Sequence, residues 1–137
     1  MSEPRSATST GVGRVLIAVY GIFALSATAR AGVQIATRFD EAPLPYLLSA
    51  VAGAVYILAT IGLAGRGPLA RRLAWGAVGF ELVGVLVVGA LSVFDAGDFP
   101  DDTVWSAFGR GYGFVPLVLP LVGLWWLWRT RAREPAA

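Results

Sequence analysis

Few residues in this chain could do chemistry, and Glu81 comes first. It is the only charged residue in the long apolar stretch Leu73–Phe94, LAWGAVGFELVGVLVVGALSVF. Upstream, Ser26, Arg30 and Gln34 recur at every fourth position, and at about 100° per residue they share roughly 80° of one helix face. Tyr56 belongs to a second small-polar row, Ser49, Gly53, Tyr56 and Thr60. A carboxylate and a guanidinium at membrane depth could couple a proton or solute to a conformational change. The arginine would bind an anion or tune the carboxylate. The same pair could equally be a polar clamp between two helices. A charge at the bilayer centre costs on the order of 3 kcal/mol, so it normally faces the bundle interior with a partner. Arg30 could also snorkel outward to loop acids. Glu81, Arg30, Gln34, Ser26 and Tyr56 together form the candidate intramembrane polar site.

Other chemistries lack their residues. The sequence has no His and no Cys. Thiolate zinc sites, iron–sulfur clusters, His- or Cys-ligated haem, disulfides and imidazole catalysis are therefore not expected. Asp95, Asp98, Asp101 and Asp102 lack the alternating ligands of a calcium loop, so no metal or cofactor is expected there either. Gly109, Gly111 and Gly113 lack the lysine and the strand-to-helix setting of a phosphate loop. An enzyme would have to be built from Glu81, Arg30 and the loop aspartates, which have no convergent spacing.

The elements that must carry these residues are membrane spans. The chain has 137 residues, 56% hydrophobic and 15% charged, with formal net charge +2 and mean hydropathy +0.66. Soluble domains carry about 25% charged residues. Four segments of about 20 residues suit a bilayer crossing: 15–37, 45–64, 73–94 and 112–128. Residues 1–13 read as a disordered cytoplasmic tail, 14–130 as the transmembrane domain and 131–137 as a basic cytoplasmic tail. Val15–Leu25 followed by Ala27-Thr28-Ala29 could alternatively be a cleaved signal peptide spanning Val15–Ala29. A loop is expected from Gly65 to Arg72, and a short helix capped by Asp101 or Asp102 should contain Trp105 and Phe108. Pro116 and Pro120 should both bend the last span. Gly76, Gly79 and Ala90 offer close packing on the side of the third span away from Glu81. The fold class is thus all-α, an integral membrane bundle of four transmembrane helices.

Charge sets the orientation. Arg5, Arg14, Arg66, Arg71, Arg72, Arg129, Arg131 and Arg133 fall on one side. The other side has Arg38 and Arg110 among six acids: Asp40, Glu41, Asp95, Asp98, Asp101 and Asp102. The positive-inside rule puts both termini in the cytoplasm. Trp75, Trp125, Trp126 and Trp128 then belong to the inner aromatic belt, and Phe39, Tyr46, Phe94, Trp105 and Tyr112 to the outer one. All basic residues are arginine. With abundant Ala, Gly and Val this reflects a GC-rich bacterial genome, and no basic patch points to nucleic acid.

The phrases ARAGVQIATRFDEAPLPYLLSA and FELVGVLVVGALSVFD resemble the small four-pass integral membrane proteins of actinobacteria that have no assigned function. The resemblance covers most of the chain and carries no catalytic motif. Small multidrug resistance transporters are similar in length and have one membrane acid, but in the first helix, not the third. Glu81-Leu82-Val83-Gly84 is faintly similar to DoxX-like proteins, whose acid also lies in another helix. No functional residue is carried over from either. The expected function is that of a non-enzymatic accessory or interaction subunit in the cytoplasmic (plasma) membrane. Its partners would be the lipid bilayer and a membrane protein or a second copy, with no nucleic acid. The alternative is a small proton-coupled or solute transporter using Glu81 and Arg30.

Overall fold

A computed structural model describes residues 11–131. Arg5, Arg133 and most of both expected tails lie outside the described residues. Four α-helices follow one another: α1 (Gly11–Arg38), α2 (Pro43–Ala64), α3 (Gly67–Phe94) and α4 (Val115–Thr130). Short 3₁₀ turns at Phe39–Glu41, Ala96–Asp98 and Ser106–Tyr112 lie in the connections. No strand occurs among the described residues. The molecule is an all-α bundle. Helices α1, α2 and α3 are each long and apolar enough to cross a membrane. A fourth crossing is obtained if the Ser106–Tyr112 turn and α4, bent by 99°, count as one broken span. This is the architecture of a multi-pass membrane protein.

Local chemistry explains where the helices begin and end. Gly11–Gly13, expected in the flexible tail, already belong to α1, which then runs unbroken to Arg38. Pro43 and Pro45 stand at the start of α2, where a missing N–H is tolerated. The loop expected through Arg72 is much shorter. Only Gly65 and Arg66 separate α2 from α3, and Pro68 in the first turn of α3 starts the helix at once. Arg71 and Arg72 are therefore helical. Pro116 likewise sits in the first turn of α4, so only Pro120 is inside that helix. α4 begins at Val115 rather than Tyr112, and its 16 residues reach about 24 Å.

The α3–α4 connection departs most from expectation. Asp101 and Asp102 cap no helix. Instead the Thr103 N–H donates to Ser106 Oγ (2.8 Å) and the Trp105 N–H to Thr103 Oγ1 (3.0 Å). Trp105 precedes the 3₁₀ segment, which contains Phe108. Ala107, Phe108 and Gly109 all have positive φ (50°, 61° and 85°), as do Gly113 and Phe114. Left-handed residues cannot continue a right-handed helix, which is why this stretch turns sharply instead of extending α4.

α1 packs along α2, α2 along α3, and α3 against the Ser106–Tyr112 segment and α4. Each helix buries one face. On α1 it is Gly13, Leu16, Tyr20, Ala24, Ala27, Ala31 and Gln34, steps of three and four that follow the helical period. On α3 it is Ala74, Ala77, Val78, Glu81, Val85, Val88 and Gly89. Many of these are small, as expected where lipid removes the usual hydrophobic drive and van der Waals packing must hold helices together. At Gly62 an added Cβ would lie 2.6 Å from the Ala74 backbone, and at Gly53 it would lie 3.2 Å from that of Thr28. Thr28 belongs to a four-spaced row of small residues on α1, Ala24, Thr28, Gly32 and Ala36, of the kind that lets helix backbones approach. Gly76 and Gly79 instead face open space, so the expectation of close packing there is not met.

Candidate functional site

Glu81 lies in the middle of α3 with 0% of its surface exposed. Its partner is Tyr20 of α1, whose hydroxyl donates to Glu81 Oε1 at 2.5 Å. The other oxygen, Oε2, is buried and accepts no hydrogen bond. α1 and α3 make no extended contact, so this bond spans the bundle interior, carried by a long side chain from each helix. α4 closes over it. A Cβ at Gly123 would lie 3.1 Å from Val78 Cγ1 and 3.4 Å from the Tyr20 hydroxyl.

A second polar link lies beside the first. The ring of Tyr56 in α2 sits 6.0 Å from that of Tyr20 and 6.3 Å from that of Trp105. Trp105 Nε1–H donates to the Tyr56 hydroxyl at 2.9 Å. Trp105 is 1% exposed, because the α3–α4 connection folds inward and drives the indole against α3 where Gly84 leaves room. A Cβ there would lie 2.6 Å from the ring. Gly89 accommodates Phe108 in the same way. Ser92 Oγ fixes the connection by accepting from the Ala107 N–H at 2.7 Å. Trp105 and Tyr46, 1% exposed as well, are thus core residues and not outer-belt aromatics. Trp126, at 4%, is also buried.

The five candidate residues do not form one site. Glu81 and Tyr56 share the core, linked through Tyr20. Arg30 is exposed and does not meet Glu81. Its Nη1 donates to the Tyr112 hydroxyl (2.7 Å) and its Nη2 to the Asp102 carbonyl (3.4 Å). Arg30 stands ten residues beyond Tyr20, about 15 Å further along α1 at 1.5 Å per residue, so the expected Glu81–Arg30 pair is out of reach. Ser26 is exposed near Arg30. Gln34 is 2% exposed, and its Oε1 accepts no hydrogen bond. The row 26, 30, 34 splits this way because a four-residue step overshoots the 3.6-residue turn by about 40°. Only Gln34 reaches the buried stripe. The face of α3 that carries Glu81, Val85, Val88 and Ser92, expected from its helical spacing to meet the Arg30 face of α1, supplies none of Arg30's hydrogen-bond partners. Tyr20 is the residue that sequence reasoning missed. Its signal was a phenol within the apolar run VLIAVYGIFAL, in helical step with Leu16 and Ala24.

A crevice of about 120 Å³ lies between α1, α2 and the α3–α4 connection, with Arg30 and Tyr112 in its lining. Glu81 does not line it. The aspartates of the connection serve other ends. Asp101 Oδ2 accepts from the Tyr46 hydroxyl (3.0 Å) and Oδ1 from the Asp102 N–H (2.9 Å). The Asp98 carboxyl beside Asp95 raises the latter's pKa. Among the described residues no group of three or more acids is placed to hold a metal.

At the opposite end, Arg71 is more than a charge. Its Nη2 donates to the Leu127 carbonyl at 2.5 Å and to Thr130 Oγ1, where the last carbonyls of α4 need partners. It also stacks over Trp126, as Arg129 does over Trp125 and Arg131 over Trp128. Such cation–π pairs hold guanidinium groups against the aromatic surface.

Chemically, the core can hold two helices in register through a carboxyl–phenol bond, but it offers no opening to a substrate at Glu81. Compared with protein-family models, curated proteins and solved structures, the chain matches none.

Proposed function

We propose that the protein is a non-enzymatic accessory or interaction subunit in the cytoplasmic membrane of a bacterium, with both termini inside. Its partner would be another membrane protein or a second copy. The observation that carries this reading is the closure of Glu81, which is 0% exposed and held by Tyr20. A catalytic acid must come within hydrogen-bond reach of its substrate. A coupling acid in a transporter must meet each side of the membrane in turn. Glu81 does neither in this state, and its bond to Tyr20 acts as interhelical glue.

Transport through Glu81 draws on one observation, the unused Oε2 in the interior, where a proton relay could begin. Proteoliposomes carrying an internal pH dye separate the two. Wild type and Glu81→Gln should show the same passive proton leak, and mild extraction of native membranes should give a complex or oligomer of fixed stoichiometry. A proton flux that Glu81→Gln abolishes would overturn the accessory reading, as would a protein that is monomeric in native extracts. Reporter fusions ending at Gly67 and Gly97 should report inside and outside respectively. The reverse pattern would refute the orientation.

A further inference from the structure

We propose that the crevice beside Arg30 binds an anionic phospholipid, with its phosphate on the guanidinium and the upper part of one acyl chain against α1. The proposal stands on the juxtaposition of an unneutralised cation with an apolar cleft at the lipid-facing side of the bundle. Arg30 spends two donors on neutral acceptors, the Tyr112 hydroxyl and the Asp102 carbonyl. No carboxylate among the described residues pairs with it. A guanidinium has five N–H donors in a planar fork, and a phosphate is the anion that such a fork grips bidentately. Tyr112 accepts from Arg30, so its own hydroxyl proton is left to donate to the same phosphate.

The cleft below is of the other character. Ile22, Phe23, Ala27 and Val104 line it. Its volume of about 120 Å³ is close to the ~150 Å³ cavity that takes one benzene. It therefore holds a few carbons of a chain, not a whole ligand, and the rest must continue outside. The outside is suited to that. Ile22 is 60% and Leu25 76% exposed on the same helix, an apolar surface that lipid tails cover. The level also fits. Arg30 lies eight residues below the end of α1, about 12 Å at 1.5 Å per residue, and its side chain reaches up to the connection, toward the headgroup zone. The loop acid Asp101 is already occupied by Tyr46. This inference does not depend on the accessory reading.

Native mass spectrometry of delipidated protein tests it, with phosphatidylglycerol and phosphatidylcholine of identical chains. One phosphatidylglycerol should be retained, and phosphatidylcholine, whose choline cation offsets its phosphate charge and is repelled by the guanidinium, should bind at least about tenfold more weakly. Arg30→Gln should weaken phosphatidylglycerol by a similar factor. Ser26→Leu, which fills the mouth of the cleft and keeps the charge, should do the same, so the test survives if Arg30→Gln does not fold. Arg129→Gln, at the other end of the bundle, should change nothing. Equal binding of the two lipids, or retention unchanged in both Arg30→Gln and Ser26→Leu, overturns the proposal. So would tighter retention of free oleate than of phosphatidylglycerol, since the cleft would then be a fatty-acid site.

Discussion

Replacing Tyr20 with Phe removes one oxygen from the core and leaves Glu81 with no hydrogen bond, because Oε2 has none to begin with. A hydrogen bond within a protein contributes about 0.5–1.5 kcal/mol net. In membrane proteins interhelical values are similar, averaging ~0.6 and reaching ~1.7 kcal/mol, since the unfolded chain in lipid finds other partners. Glu81 is fully buried, so we expect Tyr20→Phe to fall near the top of that range and cost about 1.5 kcal/mol. Glu81→Leu should cost about 1–3 kcal/mol by orphaning the Tyr20 hydroxyl. In the double variant neither polar group remains to be satisfied, and matched apolar replacement is close to neutral. The double variant should therefore be more stable than the sum of the singles by about 0.6–1.7 kcal/mol. Reversible unfolding in mixed dodecyl maltoside and SDS micelles measures all four corners of this cycle. Additivity to within about 0.5 kcal/mol, the behaviour of independent sites, would refute the clamp.

Gly84→Ala should destabilise by about 1–3 kcal/mol, the usual cost of overpacking, because the new methyl meets a Trp105 ring that its bond to Tyr56 holds in place. Gly76→Ala, into open space, should instead stabilise by about 0.5–1 kcal/mol through helix propensity; the same unfolding assay reads both. Arg71→Gln should lower stability by about 1–3 kcal/mol through loss of the α4 carbonyl contact, and Arg72→Gln should stay within about 0.5 kcal/mol as an exposed change. Equal effects of the two substitutions would mean that Arg71 acts only as a topological charge.

The membrane character of the chain, its all-helical class and the interior position of Glu81 were legible from composition and periodicity. So was the inward face of α2, since Ser49, Gly53 and Tyr56 are all buried. These properties are local. The rise and turn of a helix follow from its own residues, and the absence of His and Cys removes whole chemistries without any fold. The partner of Glu81 is not local. It depends on how far α1 slides along the bundle and how it rotates about its axis, and those are set by contacts such as Gly53 on Thr28 and Gly62 on Ala74, where backbones meet. At that setting Tyr20 stands level with Glu81, while Arg30 is carried about 15 Å further along α1. Trp105 turned inward for the same kind of reason. Its sequence neighbourhood, rich in Asp and Gly, reads as an outer loop with a short helix that puts Trp105 in the outer aromatic belt. Only the space left by Gly84 on a different helix, together with the Tyr56 hydroxyl on a third, makes the core the better place for an indole that must both pack and donate a hydrogen bond.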